Sequence, residues 1–140
     1  MTDTIILKFD GGSRGNPGIA GAGAVIYKND IEIACIIIGL DEPSTNNQAE
    51  YTGLIEGLKL SLECGYKNIV AYGDSLLVVN HVTRVWKCKS PLLKPLLEEA
   101  TNIIKQFDSF EIRHIYRKDN SRADELANEA MDNISINLKD

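Results

Sequence analysis

Cysteine is scarce, cationic charge is in the minority, and no apolar run approaches the roughly 18 residues that a membrane span requires. The three cysteines, Cys35, Cys64 and Cys88, are an odd number at wide spacing, which suits neither a disulfide framework nor a zinc site. They read as reduced packing residues. Lys and Arg number 15 against 20 Asp and Glu, a formal charge of −5, which argues against holding nucleic acid by bulk charge. The opening stretch, Met1 to Lys8, has Asp3 and then only a strand-length apolar patch, without the basic region and long apolar run of a secretory signal. Repeats, low-complexity segments and linkers are also missing. What is present is an ordinary 44% hydrophobic and 25% charged composition over 140 positions, enough for one domain to bury a core without staples. The expectation is a single domain over residues 1–140, monomeric, cytoplasmic and without a membrane partner.

The charge is uneven along the chain. From Ser75 to Leu97 there are four basic residues, Arg84, Lys87, Lys89 and Lys94, and no acid. Arg113 to Arg122 holds four more against Asp119 alone. Local basic surfaces can therefore coexist with an acidic whole.

Ile5, Leu7 and Phe9 alternate with Ile6, Lys8 and Asp10, the period of a strand that ends at Asp10 and enters a Gly11-Gly12 turn. Ala20 to Tyr27 and Ile31 to Leu40 read as two further strands joined by a tight turn at Asn29-Asp30. Ser44-Thr45-Asn46, with Gln48 three residues after Thr45, forms a capping box before Tyr51, Leu54, Ile55, Leu58 and Leu62, which fall at helical spacing up to Gly65. Ile69 to Gly73 is a short strand, and Asp74-Ser75 caps a helix starting about Leu76. Pro91 and Pro95 mark the entry to a helix from about Leu92 to Phe107, Phe110 to Tyr116 is the last strand, and a final helix follows Asn120-Ser121, fraying after Met131. The order βββαβααβα predicts an α/β fold whose mixed sheet, an antiparallel meander followed by parallel strands, is covered by helices.

Four acids sit at the junctions of these elements. Asp10 has an ordinary reading as a turn residue, Asp74 as a helix cap, and Asp124 as the acidic partner of a Ser121-x-x-Asp124 capping box. Glu50 resists such a reading: at 100° per residue it lies about 40° from Leu54 and about 80° from Leu58, on the flank of the buried helix face. Sheets of this kind gather their sites at strand carboxyl ends, so the four acids can converge. Clustered carboxylates repel one another, and a hard divalent cation such as Mg²⁺ or Mn²⁺ relieves that repulsion.

The runs Phe9-Asp10-Gly11-Gly12-Ser13-Arg14-Gly15-Asn16-Pro17-Gly18, Thr45-Asn46-Asn47-Gln48-Ala49-Glu50, Gly73-Asp74-Ser75 and Asn120-Ser121-Arg122-Ala123-Asp124-Glu125-Leu126-Ala127 resemble the motifs of the type 1 ribonuclease H family. They occur in family order over nearly the whole chain. The resemblance implies a ribonuclease H-like fold with a five-stranded mixed sheet flanked by helices. It implies cleavage of the RNA strand of RNA/DNA hybrids to 5′-phosphate and 3′-hydroxyl products. It further implies two Mg²⁺ ions, replaceable by Mn²⁺, held by Asp10, Glu50, Asp74 and Asp124. The same resemblance puts Gly11, Gly12, Ser13, Arg14, Asn16, Asn47 and Gln48 among the substrate contacts and Thr45 at a DNA phosphate. Helix capping is an equally good reason for Thr45.

Two departures resemble the archaeal-like members. The loop before the last helix reads Tyr116-Arg117-Lys118-Asp119-Asn120 and lacks the histidine of many bacterial members. Arg117 is the candidate replacement, contacting the scissile phosphate or leaving group; a solvated loop charge is the alternative. His114, earlier in the strand, is either structural or a second candidate. The basic protrusion that some members use to grip a hybrid is also absent, because Asn80 to Lys94 is too short for it. Trp86, with Arg84, Lys87 and Lys89, is either a reduced platform for the DNA strand or an aromatic at the core edge. A binding module without turnover, or another nuclease of the same superfold, competes with this reading. The four intact acids argue against the first, and the Asp-Gly-Gly-Ser and Thr-Asn-Asn-Gln-Ala-Glu runs against the second.

Overall fold

The computed structural model describes residues 3–139. Its elements are β1 (Thr4–Arg14), β2 (Ile19–Lys28), β3 (Ile31–Gly39), α1 (Asn46–Glu63), β4 (Asn68–Gly73), α2 (Leu76–Val82), α3 (Lys94–Ile104), β5 (Ser109–His114), a 3₁₀ turn at Arg117–Asp119 and α4 (Ser121–Lys139). The five strands lie in the order β3-β2-β1-β4-β5. β1 pairs antiparallel with β2 and β2 with β3, whereas β1–β4 and β4–β5 are parallel. This is the mixed sheet that the element order predicts. The Asn29-Asp30 turn has φ of 51° and 66°, the left-handed pair that a two-residue hairpin of this hand requires. No helix among the described residues is long and apolar enough to cross a membrane.

The two faces of the sheet are packed differently. On one, Ile5, Leu7 and Phe9 bury against Tyr51, Leu54 and Leu58 of α1 and Leu97, Ala100 and Ile103 of α3. On the other, α4 lies close to β2 because β2 offers glycine and alanine: a Cβ on Gly21 would stand 2.9 Å from the Ala127 carbonyl, and one on Gly23 2.8 Å from that of Ala123.

Four expected boundaries are corrected. β1 does not end at Asp10 in a Gly11-Gly12 turn; it continues to Arg14, paired with β2 down to Arg14↔Ile19, and the chain reverses over Gly15–Gly18. The glycines serve close approach instead of a turn. A Cβ on Gly11 would lie 2.2 Å from the Ala49 carbonyl carbon, and one on Gly53 2.6 Å from the Asp10 carbonyl oxygen, so α1 crosses β1 at near backbone contact. α3 and β5 are shorter than expected, stopping at Ile104 and His114. α4 does not fray after Met131 but runs to Lys139, since Met131 is buried and Ile134 packs where a Cβ on Gly39 would be. Of the cysteines, all free, Cys88 is a buried packing residue while Cys35 and Cys64 are exposed.

The tight crossing makes a prediction. Gly53→Ala forces backbone atoms apart beside Asp10 and is expected to cost about 1–3 kcal/mol of stability in urea unfolding. An unchanged midpoint would show that the crossing has slack.

Candidate active site

The parallel pairing of β1 with β4 stops at Phe9↔Gly73. Asp10 is thus the first β1 residue without a β4 partner, and Asp74 is the first residue after β4 ends. The two strands diverge with one carboxylate on each. The α1 crossing at Gly11 and Gly53 brings Glu50 to the same place. Ligand oxygens of Asp10, Glu50 and Asp74 lie within 4.8 Å of one another. Asp124, in the first turn of α4, stands outside that group but lines the same cleft of about 430 Å³ with the other three.

The ordinary explanations for these acids fall on their neighbours. Ser75, not Asp74, caps α2, its hydroxyl accepting from the Val78 N–H at 3.3 Å. The Asp124 N–H donates to the Asn120 carbonyl at 3.1 Å, which makes Asn120 the residue at the helix start and relieves Asp124 of a capping box. Asp10 lies within a strand and not in a turn. Only the α1 capping box forms as read, with the Thr45 hydroxyl accepting from Gln48 N–H and the Gln48 carbonyl from Thr45 N–H.

The cleft resists ionisation of Asp10 and Glu50. Asp10 is 5% exposed and Glu50 8%. Burial, reinforced by the Asp74 charge and offset in part by hydrogen bonding with Glu50 and the Gly11 N–H, raises Asp10 from 3.8 to about 7. Burial, then the Asp10 and Asp74 charges, holds Glu50 well above the usual carboxylate range. Glu50 Oε2 is buried without a hydrogen-bond partner. A hard cation would supply the missing partner and neutralise the acids, and the all-oxygen donor set fits Mg²⁺ or Mn²⁺.

A carboxyl group whose folded value is raised binds its proton more tightly when folded, so its contribution is present below the unfolded value and is lost as pH rises. Metal-free protein is therefore expected to lose stability relative to its Asp10→Asn variant as pH climbs from about 4 through about 7. Melting temperatures of the pair across that range, in chelator, test this. A constant difference would contradict the protonated state of Asp10.

Around the acids, β1 and the start of α1 are laced together. Asn46 Oδ1 accepts from Ser13 N–H at 2.7 Å, and Asn16 Oδ1 accepts from Asn46 N–H at 2.9 Å. With their side-chain oxygens accepting from Asn46 N–H and Thr45 N–H, Asn16 and Gln48 keep NH₂ groups as their donor ends. Gly11, Gly12, Ser13, Arg14 and Asn47 line the cleft, and Arg14 pairs with Asp132 at 2.7 Å. Arg117, 81% exposed on its side chain, reaches Asp124 Oδ1 with Nη2 at 3.6 Å on the rim. His114 is exposed, edge-on to Tyr116, and is not among the residues lining the cleft.

Trp86 is 45% exposed. It belongs to a separate groove of about 820 Å³ between the Arg84–Cys88 segment and α3, with Arg84, Lys87, Lys94 and Lys105 on its walls. The sequence reading missed two residues at the acids. Asn128 donates to the Asp124 carbonyl at 3.0 Å and contacts its carboxylate at 3.4 Å; the signal was an amide four residues after an acid on one helix. Asn120 is fully buried and touches Asp74, which only the tertiary fold reveals.

A sequence-family profile described as Reverse transcriptase-like matches residues 8–130. The chain is 41% identical over 124 residues to ribonuclease HI of Halobacterium salinarum, covering 89% of this chain and 62% of that protein. It is 40% identical to the bifunctional protein Rv2228c of Mycobacterium tuberculosis over 91% of this chain but 35% of that protein. The chain thus spans about two thirds or less of the length of these relatives. The N-terminal RNase H domain of Rv2228c superposes with a TM-score of 0.93 at 37% identity, over 98% of this chain and 99% of that one. LC11-RNase H1 in complex with RNA/DNA hybrid superposes with a TM-score of 0.87 at 36% identity, over 93% and 98%.

Proposed function

Since the chain belongs to the ribonuclease H family, we propose that it is an endonuclease that cuts the RNA strand of RNA/DNA hybrids at the Asp10, Glu50, Asp74 and Asp124 cleft. The observation that carries this reading is the triad of carboxylate oxygens within 4.8 Å, two of its members nearly buried, with one Glu50 oxygen lacking any partner. Asp10, Glu50 and Asp74 would hold the metal, with Asp124 joining from the rim. Two Mg²⁺ ions bound there, or Mn²⁺ in their place, would supply activation of a water and stabilisation of the leaving 3′ oxygen, giving 5′-phosphate and 3′-hydroxyl ends.

The remaining residues bind and orient. The minor groove of an A-like duplex is wide and shallow and displays 2′-hydroxyls, which suits close backbone approach at Gly11 and Gly12, the Ser13 hydroxyl and the amides of Asn16, Asn47 and Gln48. Arg14 adds charge beside them. Thr45, although it caps α1, retains its hydroxyl proton, and the start of α1 favours an anionic oxygen, so capping and a DNA-phosphate contact are compatible. The Trp86 groove takes the DNA strand by aromatic contact and phosphate neutralisation. Arg117 offers its guanidinium to the scissile phosphate from the rim.

Chelation followed by product analysis tests the reading. Cleavage of an end-labelled hybrid should vanish in excess EDTA, return with Mg²⁺ or Mn²⁺, and leave RNA fragments that a 3′-hydroxyl-dependent polymerase extends. Metal-independent cleavage, or fragments ending in 2′,3′-cyclic phosphate, would sink it.

A further inference from the structure

Asn120 is fully buried, yet its side chain reaches outside its own element twice. Nδ2 lies 2.9 Å from the Phe9 carbonyl oxygen and 3.4 Å from Asp74 Oδ2, while Oδ1 has no partner. Both close neighbours are oxygens that only accept, so the NH₂ end must face them; the opposite amide orientation would set oxygen against oxygen twice. Each of the two amide protons then has one destination. The backbone of the same residue receives the Asp124 N–H and donates to the Arg117 carbonyl at 3.0 Å.

This one side chain sits where β1 and β4 part. Phe9 is the last β1 residue with a β4 partner, and the chain beyond Gly73 turns away into Asp74. Asn120 fills that fork and ties the residue before Asp10, the Asp74 carboxylate and the start of the helix carrying Asp124. Restraining one Asp74 oxygen limits rotation of a carboxylate that shares the cluster with Asp10 and Glu50.

We propose that Asn120 is a positioning residue that orients the Asp74 carboxylate as a metal ligand and sets α4, with Asp124, against the same site. It stands behind the ligands, where loss of a partner commonly lowers metal affinity or activity about 10–100-fold. The inference rests on the metal-site reading above.

The test is calorimetric Mg²⁺ and Mn²⁺ titration of wild type, Asn120→Asp, Asn120→Ser and, as a stability control remote from the acids, Ile103→Ala. Asn120→Asp keeps the shape but replaces the two-proton amide donor with a carboxyl group, and Asn120→Ser shortens the side chain away from both acceptors. Both Asn120 variants should bind metal about 10-fold or more weakly than wild type, and their kcat on hybrid should fall with little change in KM, partly recovering at high Mn²⁺. Ile103→Ala should melt earlier yet bind metal normally. Metal affinity of the Asn120 variants equal to that of Ile103→Ala would assign Asn120 to folding alone and overturn the proposal. If the variants do not fold, the wild-type Asn120 side-chain amide resonances decide: they should shift along the same Mg²⁺ curve as the Asp74 carboxyl, and unmoved resonances overturn it. If wild type binds no metal, the metal-site reading itself fails; if it binds metal but cuts no hybrid, only the substrate assignment fails.

Discussion

Asp10→Asn is expected to reduce hybrid cleavage by at least about 10³-fold while the protein stays folded, because the substitution removes a ligand charge at the centre of the cluster. The side-chain oxygen of the variant can still accept from the Gly11 N–H, which reaches Asp10 Oδ1 at 2.9 Å, so the strand is not disturbed. In the absence of metal the variant should be as stable as wild type or more so at neutral pH and above. A buried carboxyl beside the Asp74 charge is costly to ionise, and the amide removes that cost. Added Mg²⁺ should raise the melting temperature of wild type and leave the variant nearly unmoved. Hybrid binding in Ca²⁺ or without metal should survive. Retained turnover in enzyme free of contaminating nuclease would remove Asp10 from the metal site, whereas lost binding would point to misfolding.

Arg117→Ala is expected to lower kcat by about 10²–10³-fold with a modest change in KM, the signature of a group that stabilises charge in the transition state. The guanidinium stands on the rim, largely in solvent, with Asp124 at 3.6 Å. It is free to swing toward a phosphate in the cleft. Arg117→Lys should recover only part of the rate, since an ammonium lacks the planar fork. His114→Ala is the comparison: His114 is exposed and outside the cleft lining, and its loss should matter little. If His114→Ala slows turnover at least as much with the fold intact and Arg117→Ala does not, the helper is His114.

What could be read in the sequence was what local chemistry decides. The α1 capping box at Thr45 and Gln48 and the left-handed Asn29-Asp30 turn depend on neighbours a few residues away, and both form. Glu50 was betrayed by its angle on the helix, since a carboxylate on the flank of an apolar face needs a reason to be there. The boundaries that differed were set by distant partners. Gly11-Gly12 has the local chemistry of a turn, but the backbone of α1 lies against it and β2 continues beside it. The end of α4 is polar enough to fray, but Met131 meets Gly12 and Ile134 meets Gly39 from strands more than ninety residues away. Whether Asp74 or Ser75 caps α2 was undecidable from their adjacency. The fold gives the cap to Ser75, and that choice frees Asp74 for the cluster. Asn120 carried no signal beyond its place in a motif, because its two acceptors come from β1 and from the end of β4.

We propose above all that this carboxylate cleft cuts the RNA strand of RNA/DNA hybrids. Its most direct test is a single panel in which the purified wild-type chain meets the same labelled RNA as a hybrid with DNA, as an RNA duplex and as a single strand, in Mg²⁺ and in Mn²⁺, beside Asp10→Asn. Internal cleavage of the hybrid RNA by wild type, absent for the variant and much weaker on the single strand, is the predicted result. An intact hybrid in both metals, or equal cleavage of the single strand, would contradict it.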